Sequence, residues 1–281
     1  MSALAASHPT LLDLAKRLDP DGKIDVIAEI LTQENPILED LSFVEGNLPT
    51  GHRTTIRTGL PTPTWRKLYG GVQPTKSNTA QVTDSCGMLE AYAEVDKALA
   101  DLNGNTAAFR LSEDRAHIEG MAQELASTII YGNEGDQPEA FTGLAPRYNS
   151  LSAANADNIV SAGGTGSDNT SIWLVVWGDQ TLHGIYPKGS RAGLDMQDKG
   201  QVTIENVDGS GGRMEAYRTH YRHDCGLTVR DWRFAARVCN IDVSALTSDG
   251  TADVRAAAQE ALINCMVQDS ERIPSLPKGR A

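Results

Sequence analysis

The chain has 281 residues, 40% of them apolar, and a net charge of −12. That is enough for one large domain or two small ones around a sizeable core, and the acidic balance excludes a dedicated nucleic-acid binder, which carries a basic excess. No apolar run reaches the roughly 18 residues of a membrane-crossing helix, and MSALAASHPTLLDLAKRLD lacks the basic-then-apolar order of a signal peptide.

Taken in chain order, residues 10–34 predict two short helices. Leu11, Leu14, Ala15 and Leu18 recur at helical spacing, as do Ile24, Ile27, Ala28 and Leu31, with a turn at Asp19-Pro20-Asp21-Gly22 between them. Neither is long enough to be stable alone, so each must pack on its own body or on a neighbouring chain. Residues 46–80 are rich in Gly, Pro and Thr and poor in aliphatic side chains. The alternating HRTTIRTG predicts a strand, and the whole stretch reads as a long two-stranded excursion with irregular tips. Trp65, Leu68 and Tyr69 argue for an ordered arm over a disordered linker.

A short helical stretch at 95–102 is followed by the strongest helix, 106–131, with Phe109, Ile118, Met121, Leu125 and Ile129 as its apolar face and Gly132-Asn133 as its end. At about 1.5 Å per residue it spans roughly 40 Å. A Gly, Ser and Asn-rich connection, 141–170, leads to β-like runs. SIWLVVWG (171–178) is apolar on both faces and predicts a central strand. QVTIENV (201–207) and RMEAYRTHYR (213–222) flank a glycine-rich hairpin turn, LTVRDWRFAARV (227–238) continues the strand material, and 251–267 returns to helix, with Val254, Ala257, Ala258, Ala261 and Cys265 on one face.

The charge is unevenly spread. Residues 46–83 hold no Asp or Glu but carry Arg53, Arg57, Arg66, Lys67 and Lys76, a segment of +5 against −17 for the remainder. A basic arm on an acidic body is the most informative feature of the composition.

Candidate chemistry is sparse. Gly209, Gly211 and Gly212 sit between two predicted strands with no GxxxxGK[ST] lysine, which makes a turn and not a phosphate loop. His220, His223, Asp224 and Cys225 are metal-type residues, but strand alternation puts two on each face. Ser167 has glycine only on its N-terminal side, so it is not a nucleophile elbow. His117 and His183 have no acid partner in sequence, and no carboxylate stands in an apolar context that marks a raised pKa. Cys86, Cys225, Cys239 and Cys265 form no CxxC and are expected as buried free thiols. No catalytic residue, cofactor or metal is assigned.

Several phrases resemble one subgroup of phage capsid proteins: EGNLPTGHRTTIRTGLPTPTWR, EVDKALADLNGNTAAFRLSED, GLAPRYNSL, GTGSDNTSIWLVVWG, GIYPKGS and GLTVRDWR. The order of parts is similar to that of the Hong Kong 97-like major capsid proteins of tailed, double-stranded DNA bacteriophages. The resemblance implies an α+β fold with an N-terminal helical arm at 1–45, an extended loop at 46–80 and a peripheral-type domain at 81–140 that holds a spine helix, 106–131. A β-rich body follows at 141–281, with an axial-type helix at 251–267. Family chains continue past that helix with a further strand, a helix and a last strand, whereas this sequence stops at LPKGRA: either it is a fragment whose body is C-terminally incomplete, or the body is completed differently.

The implied function is a non-enzymatic subunit that assembles with itself, as hexamers and pentamers, into the icosahedral head shell of a virion. Scaffold, portal or decoration proteins are further implied partners, as is packaged DNA held without sequence-specific binding; no membrane is involved. Assembly is expected in the host cytoplasm. The alternatives are an encapsulin-like nanocompartment shell and, from a different class, an oligomeric β-rich hydrolase. Charge places the expected inter-subunit contact between Arg53, Arg57, Arg66, Lys67 and Lys76 of one copy and Glu113, Asp114 and Glu119 of the next. A Lys–Asn cross-link from Lys67 or Lys76 is a further, less favoured implication.

Overall fold

In the computed structural model, residues 35–102, 104–165, 167–205, 211–247 and 252–274, together with Pro9, are described. The two helices expected within 10–34, the hairpin tip at 206–210, Gly166 and the last seven residues lie outside them.

Among the described residues nine strands form two sheets, and the longest strand sets the architecture. The strands are β1 (Phe43–Glu45), β2 (Gly51–Gly59), β3 (Asn78–Asp96), β4 (Ile159–Ser161), β5 (Asn169–Val175), β6 (Leu182–Tyr186), β7 (Asp195–Glu205), β8 (Arg213–Val229) and β9 (Ala235–Asp242). The larger sheet runs β1-β6-β8-β3-β2, with β7 also on β8, and the smaller runs β4-β9-β5. At about 3.3 Å per residue, β3 extends roughly 60 Å. Its first part, up to Ser85, pairs with β2, and the rest, Cys86 to Asp96, pairs with β8. One strand therefore serves as the return limb of the arm and as a central strand of the body. No strand is predicted at 81–94 from the sequence pattern, and the helical stretch predicted at 95–102 is shorter than expected: Lys97–Ala100 is helical, and Val95 and Asp96 belong to β3.

The long helix occupies Thr106–Tyr131 and packs against the large sheet. Phe109 lies with Val95 and Leu99, Met121 with Ala93 and Tyr221, and Ile129 with Phe141 and Leu227. Between them His117 stacks on Tyr221 at 6.3 Å between ring centroids. Positions 109, 113, 117, 121, 125 and 129 form one i+4 ridge, which slants about 26° across a helix; the helix thus crosses the sheet obliquely. Ile118, assigned to the buried face, falls off this ridge and is 39% exposed.

The helix ends at Gly132 because of crowding and not because of a left-handed φ. A Cβ there would lie 2.5 Å from the Phe141 carbonyl oxygen, and the Gly132 N–H donates to the Thr128 carbonyl at 2.9 Å. Two other expectations change. The strand holding SIWLVVWG is an edge of the smaller sheet, not its centre, with Leu174 exposed. LTVRDWRFAARV is not one strand: β8 ends at Val229, the turn Trp232–Phe234 follows, and β9 begins in the other sheet. The same segment thereby carries the chain from one sheet to the next.

A last helix, Ala252–Arg272, lies against β9 and β4, with Leu262 and Cys265 on Val160, Val238 and Ile241. All four cysteines are free; Cys225 and Cys239 are buried, Cys86 and Cys265 half-buried. Asp269 on this helix is 2% exposed, one carboxylate oxygen has no hydrogen-bond partner among the described residues, and burial raises its pKa to about 6. That corrects the expectation that no carboxylate sits in an apolar setting.

Candidate inter-subunit surface

The arm is a two-stranded ribbon that leaves the body at Ser85 and carries the five cations. β2 and β3 pair from Gly51–Ser85 to Gly59–Asn78 with one register shift near the far end. Close approach at the root needs glycine: a Cβ on Gly51 would lie 2.0 Å from the Asp84 carbonyl oxygen. Asn47 clamps the outgoing strand. Its Nδ2 donates to the Arg53 carbonyl at 2.8 Å, and its Oδ1 accepts from the Arg53 N–H at 2.7 Å.

The root is also fixed by a buried ion pair. Asp84, 5% exposed, receives Arg147 Nη1 at 2.7 Å and the Thr228 hydroxyl on its other oxygen. Arg147 further donates to the carbonyls of Thr142, Gly143 and Leu227. This knot joins β3, β8 and the loop after the long helix. Asp84 was not singled out in the sequence, although it is the first acid after the acid-free run. Nearby, His183 and His52 approach edge to face at 6.0 Å. His183 is buried, and desolvation holds its pKa below the usual range.

Arg53, Arg57, Arg66, Lys67 and Lys76 are all exposed. Arg53 Nε donates to Thr83 Oγ1 at 3.2 Å, and Arg57 borders an open groove of about 530 Å³ that also holds Arg230 and Arg233. Beyond β2 the tip makes a turn in which the Gly70 N–H donates to the Lys67 carbonyl at 3.0 Å, with Tyr69 in a left-handed conformation at φ 64°. Leu60, Trp65, Leu68, Tyr69 and Val72 stand exposed along this tip. The aromatics, which in the sequence argue only for order, thus stand exposed in a cation-bearing tip.

The three acids matched to the arm by charge lie on the long helix and are half-buried. Asp114 lies beside the Tyr221 hydroxyl, whose pKa is pushed up first by burial. Glu119 accepts from Gln123 Nε2 at 2.7 Å, and Glu113 belongs to the i+4 ridge. Farther along, Glu124 and Glu139 are exposed at the mouth of a cleft of about 290 Å³ between the long helix, β3 and the loop after the helix. The metal-type residues do not converge. His220 lies 3.2 Å from Glu90 and stacks on Tyr92, whereas buried His223 meets Phe43 edge to face.

A ribbon projecting from the body, cationic along its length and apolar at its end, is a shape that gains contacts from another molecule. Comparison with known proteins identifies the family. The sequence model of the family described as major capsid protein GP7 matches residues 19–281. A chain of bacteriophage Epsilon15, from its near-atomic cryo-EM structure, is 41% identical over 99% of this chain and 82% of its own length, with a TM-score of 0.76. The SrpI encapsulin of Synechococcus elongatus PCC 7942 has the same fold at 13% identity, covering 79% of this chain and 92% of that one, with a TM-score of 0.50. The capsid of a native GTA particle has it at 10% identity, covering 80% and 95%, with a TM-score of 0.51. No curated protein matches the chain in sequence.

Proposed function

The chain belongs to the major capsid protein GP7 family, and on that premise we propose that its basic arm is the device by which one subunit grips the next. As a member of that family it is a structural shell subunit of a bacteriophage head, built from many copies, and not an enzyme. The observation that supports the arm's role is a ribbon with five exposed cations and an exposed apolar tip that its own body leaves uncovered. In this reading Arg53, Arg57, Arg66, Lys67 and Lys76 lie over the acidic flank of an adjacent subunit's long helix, around Glu113, Asp114 and Glu119. The arm is then the extended loop, the helix-backed sheet the peripheral part, and the small sheet with its helix the axial part of a capsomer. Scaffold, portal and decoration proteins, and DNA packed without sequence readout, are further proposed partners, with assembly in the host cytoplasm.

Single exposed ion pairs contribute only about 0–1 kcal/mol each. Their effect lies in orientation and encounter rate, repeated at every interface. The test is negative-stain electron microscopy of the full chain beside the Arg53→Glu/Arg57→Glu variant. The parent should form shells, more slowly as salt rises, because the Debye length falls from about 10 Å at 0.1 M to about 3 Å at 1 M. The double variant should remain folded and form none. Normal shells from it at low salt would reduce the arm's charge to a solvated face. Nucleic acid inside recovered particles separates a phage head from an encapsulin-like compartment holding protein.

A further inference from the structure

We propose that Trp65 at the arm tip of one subunit seats in the cleft at the C-terminal half of the neighbour's long helix, with Arg66 and Lys67 meeting Glu124 and Glu139 at its rim. This rests on the reading that the arm reaches a neighbour, and it names the place where the tip lands: Arg66 and Lys67 are assigned to the rim acids, and the other three cations keep the flank around Glu113, Asp114 and Glu119.

The argument starts from two unsatisfied surfaces of the same chain. Trp65 and Tyr69 are fully exposed at the tip, with Leu68 beside them nearly so. An aromatic side chain buries about 150–250 Å² when it finds a partner, and aromatics in fully desolvated pockets dominate interface energetics. The cleft is the complementary feature. Its walls are Met88 and Leu89 of β3, Leu125 of the long helix and Phe141 of the following loop, and its volume is about 290 Å³, room for an indole ring. Met88 is well exposed on β3.

Charge fixes the pairing. The residues that follow Trp65 are Arg66 and Lys67, both exposed cations, and the cleft mouth holds two exposed carboxylates, Glu124 and Glu139. Basic side chains beside the anchor and acidic side chains lining the hole match in sign. Glu113, Asp114 and Glu119 already lie half-buried on the same helix; the distance along it from position 113 to position 124 is about 16 Å. An arm whose tip enters the cleft can therefore run back along that flank, with Arg57 toward its N-terminal side.

The test places the photo-cross-linker p-benzoylphenylalanine at position 65 of the full chain, irradiates assembled particles grown from mixed light and heavy isotope subunits, and maps the joined peptides by mass spectrometry. Joins from position 65 to residues 86–89 or 124–141 of a different copy are expected. Joins to a different copy elsewhere overturn the cleft while leaving the reach of the arm intact; joins confined to the same copy overturn both. As a second measurement, Trp65→Ala should leave subunit unfolding unchanged and raise the protein concentration needed for half-assembly about tenfold. Glu124→Lys/Glu139→Lys should do the same, and Arg66→Glu/Lys67→Glu in that background should restore assembly. Assembly of Trp65→Ala at the parent's concentration would remove the anchor and with it the proposal.

Discussion

Arg147→Ala should destabilise the subunit by about 3–5 kcal/mol, the cost typical of stranding one member of a buried ion pair. The structure gives the reason in detail. Asp84 is 5% exposed, and its charge is met by Arg147 Nη1 at 2.7 Å and by the Thr228 hydroxyl. Truncation at Arg147 leaves that carboxylate in a protein interior with one neutral donor. It also removes donors from the carbonyls of Thr142 and Leu227, each 3.1 Å away, and of Gly143 at 3.2 Å. Each such bond contributes about 0.5–1.5 kcal/mol, which places the total at the upper end of the range. For a protein of this size the melting temperature should fall by roughly 10 °C or more.

Calorimetry of dissociated subunits measures it, with Arg147→Lys expected between the two because it keeps the charge but loses the planar fork. Asp84→Asn combined with Arg147→Ala should be more stable than Arg147→Ala alone, since the buried charge is gone. If Arg147→Ala melts within about 2 °C of the parent, or if the two changes simply add, the knot does not hold the arm root and the reasoning fails.

The remaining predictions concern the helices. Met121→Asp would set an unpaired carboxylate against Ala93 and Tyr221 at a cost of several kcal/mol; the folded protein should be lost, and unchanged thermal unfolding would show that the i+4 ridge is not the buried line. For Asp269 the folded pKa, about 6, stands above the ordinary aspartate value of 3.8. The folded state thus binds the proton more tightly, and stability falls as pH rises from about 4 to about 6. Asp269→Asn should therefore gain about 2–3 kcal/mol over the parent at pH 7.5 and almost nothing at pH 4; urea unfolding at the two pH values decides it, and a gain equal at both would rule out the charge as the cause.

The sequence by itself carried the elements whose signals are local. The helix at 106–131 was legible to the residue, because no proline interrupts its periodic pattern, the lone Gly120 costs only about 1 kcal/mol relative to Ala, and Gly132-Asn133 marks its end. The outgoing strand of the arm was legible from the alternation of HRTTIRTG, and the acid-free run 46–83 marked the arm's extent and its cations. The quoted phrases carried the family. The tertiary structure decided which faces those elements bury. Ile118 reads as apolar and in phase, yet the buried line follows an oblique ridge set by how the helix crosses a twisted sheet, and that angle belongs to the partner as much as to the helix. SIWLVVWG reads as a central strand because it is apolar on both faces, but strand order comes from pairing over long sequence distances. β3 was missed because its body half, SCGMLEAYAEVD, mixes polar and apolar residues as a strand does when one face meets a helix and the other forms a charged ladder with β8. The carboxylate–guanidinium knot at the arm root joins residues 63 positions apart, and Asp269 reads as one more acid in an acidic chain. Burial, and with it the energetic meaning of a charge, is a property of what packs against a residue, which the folded chain alone decides.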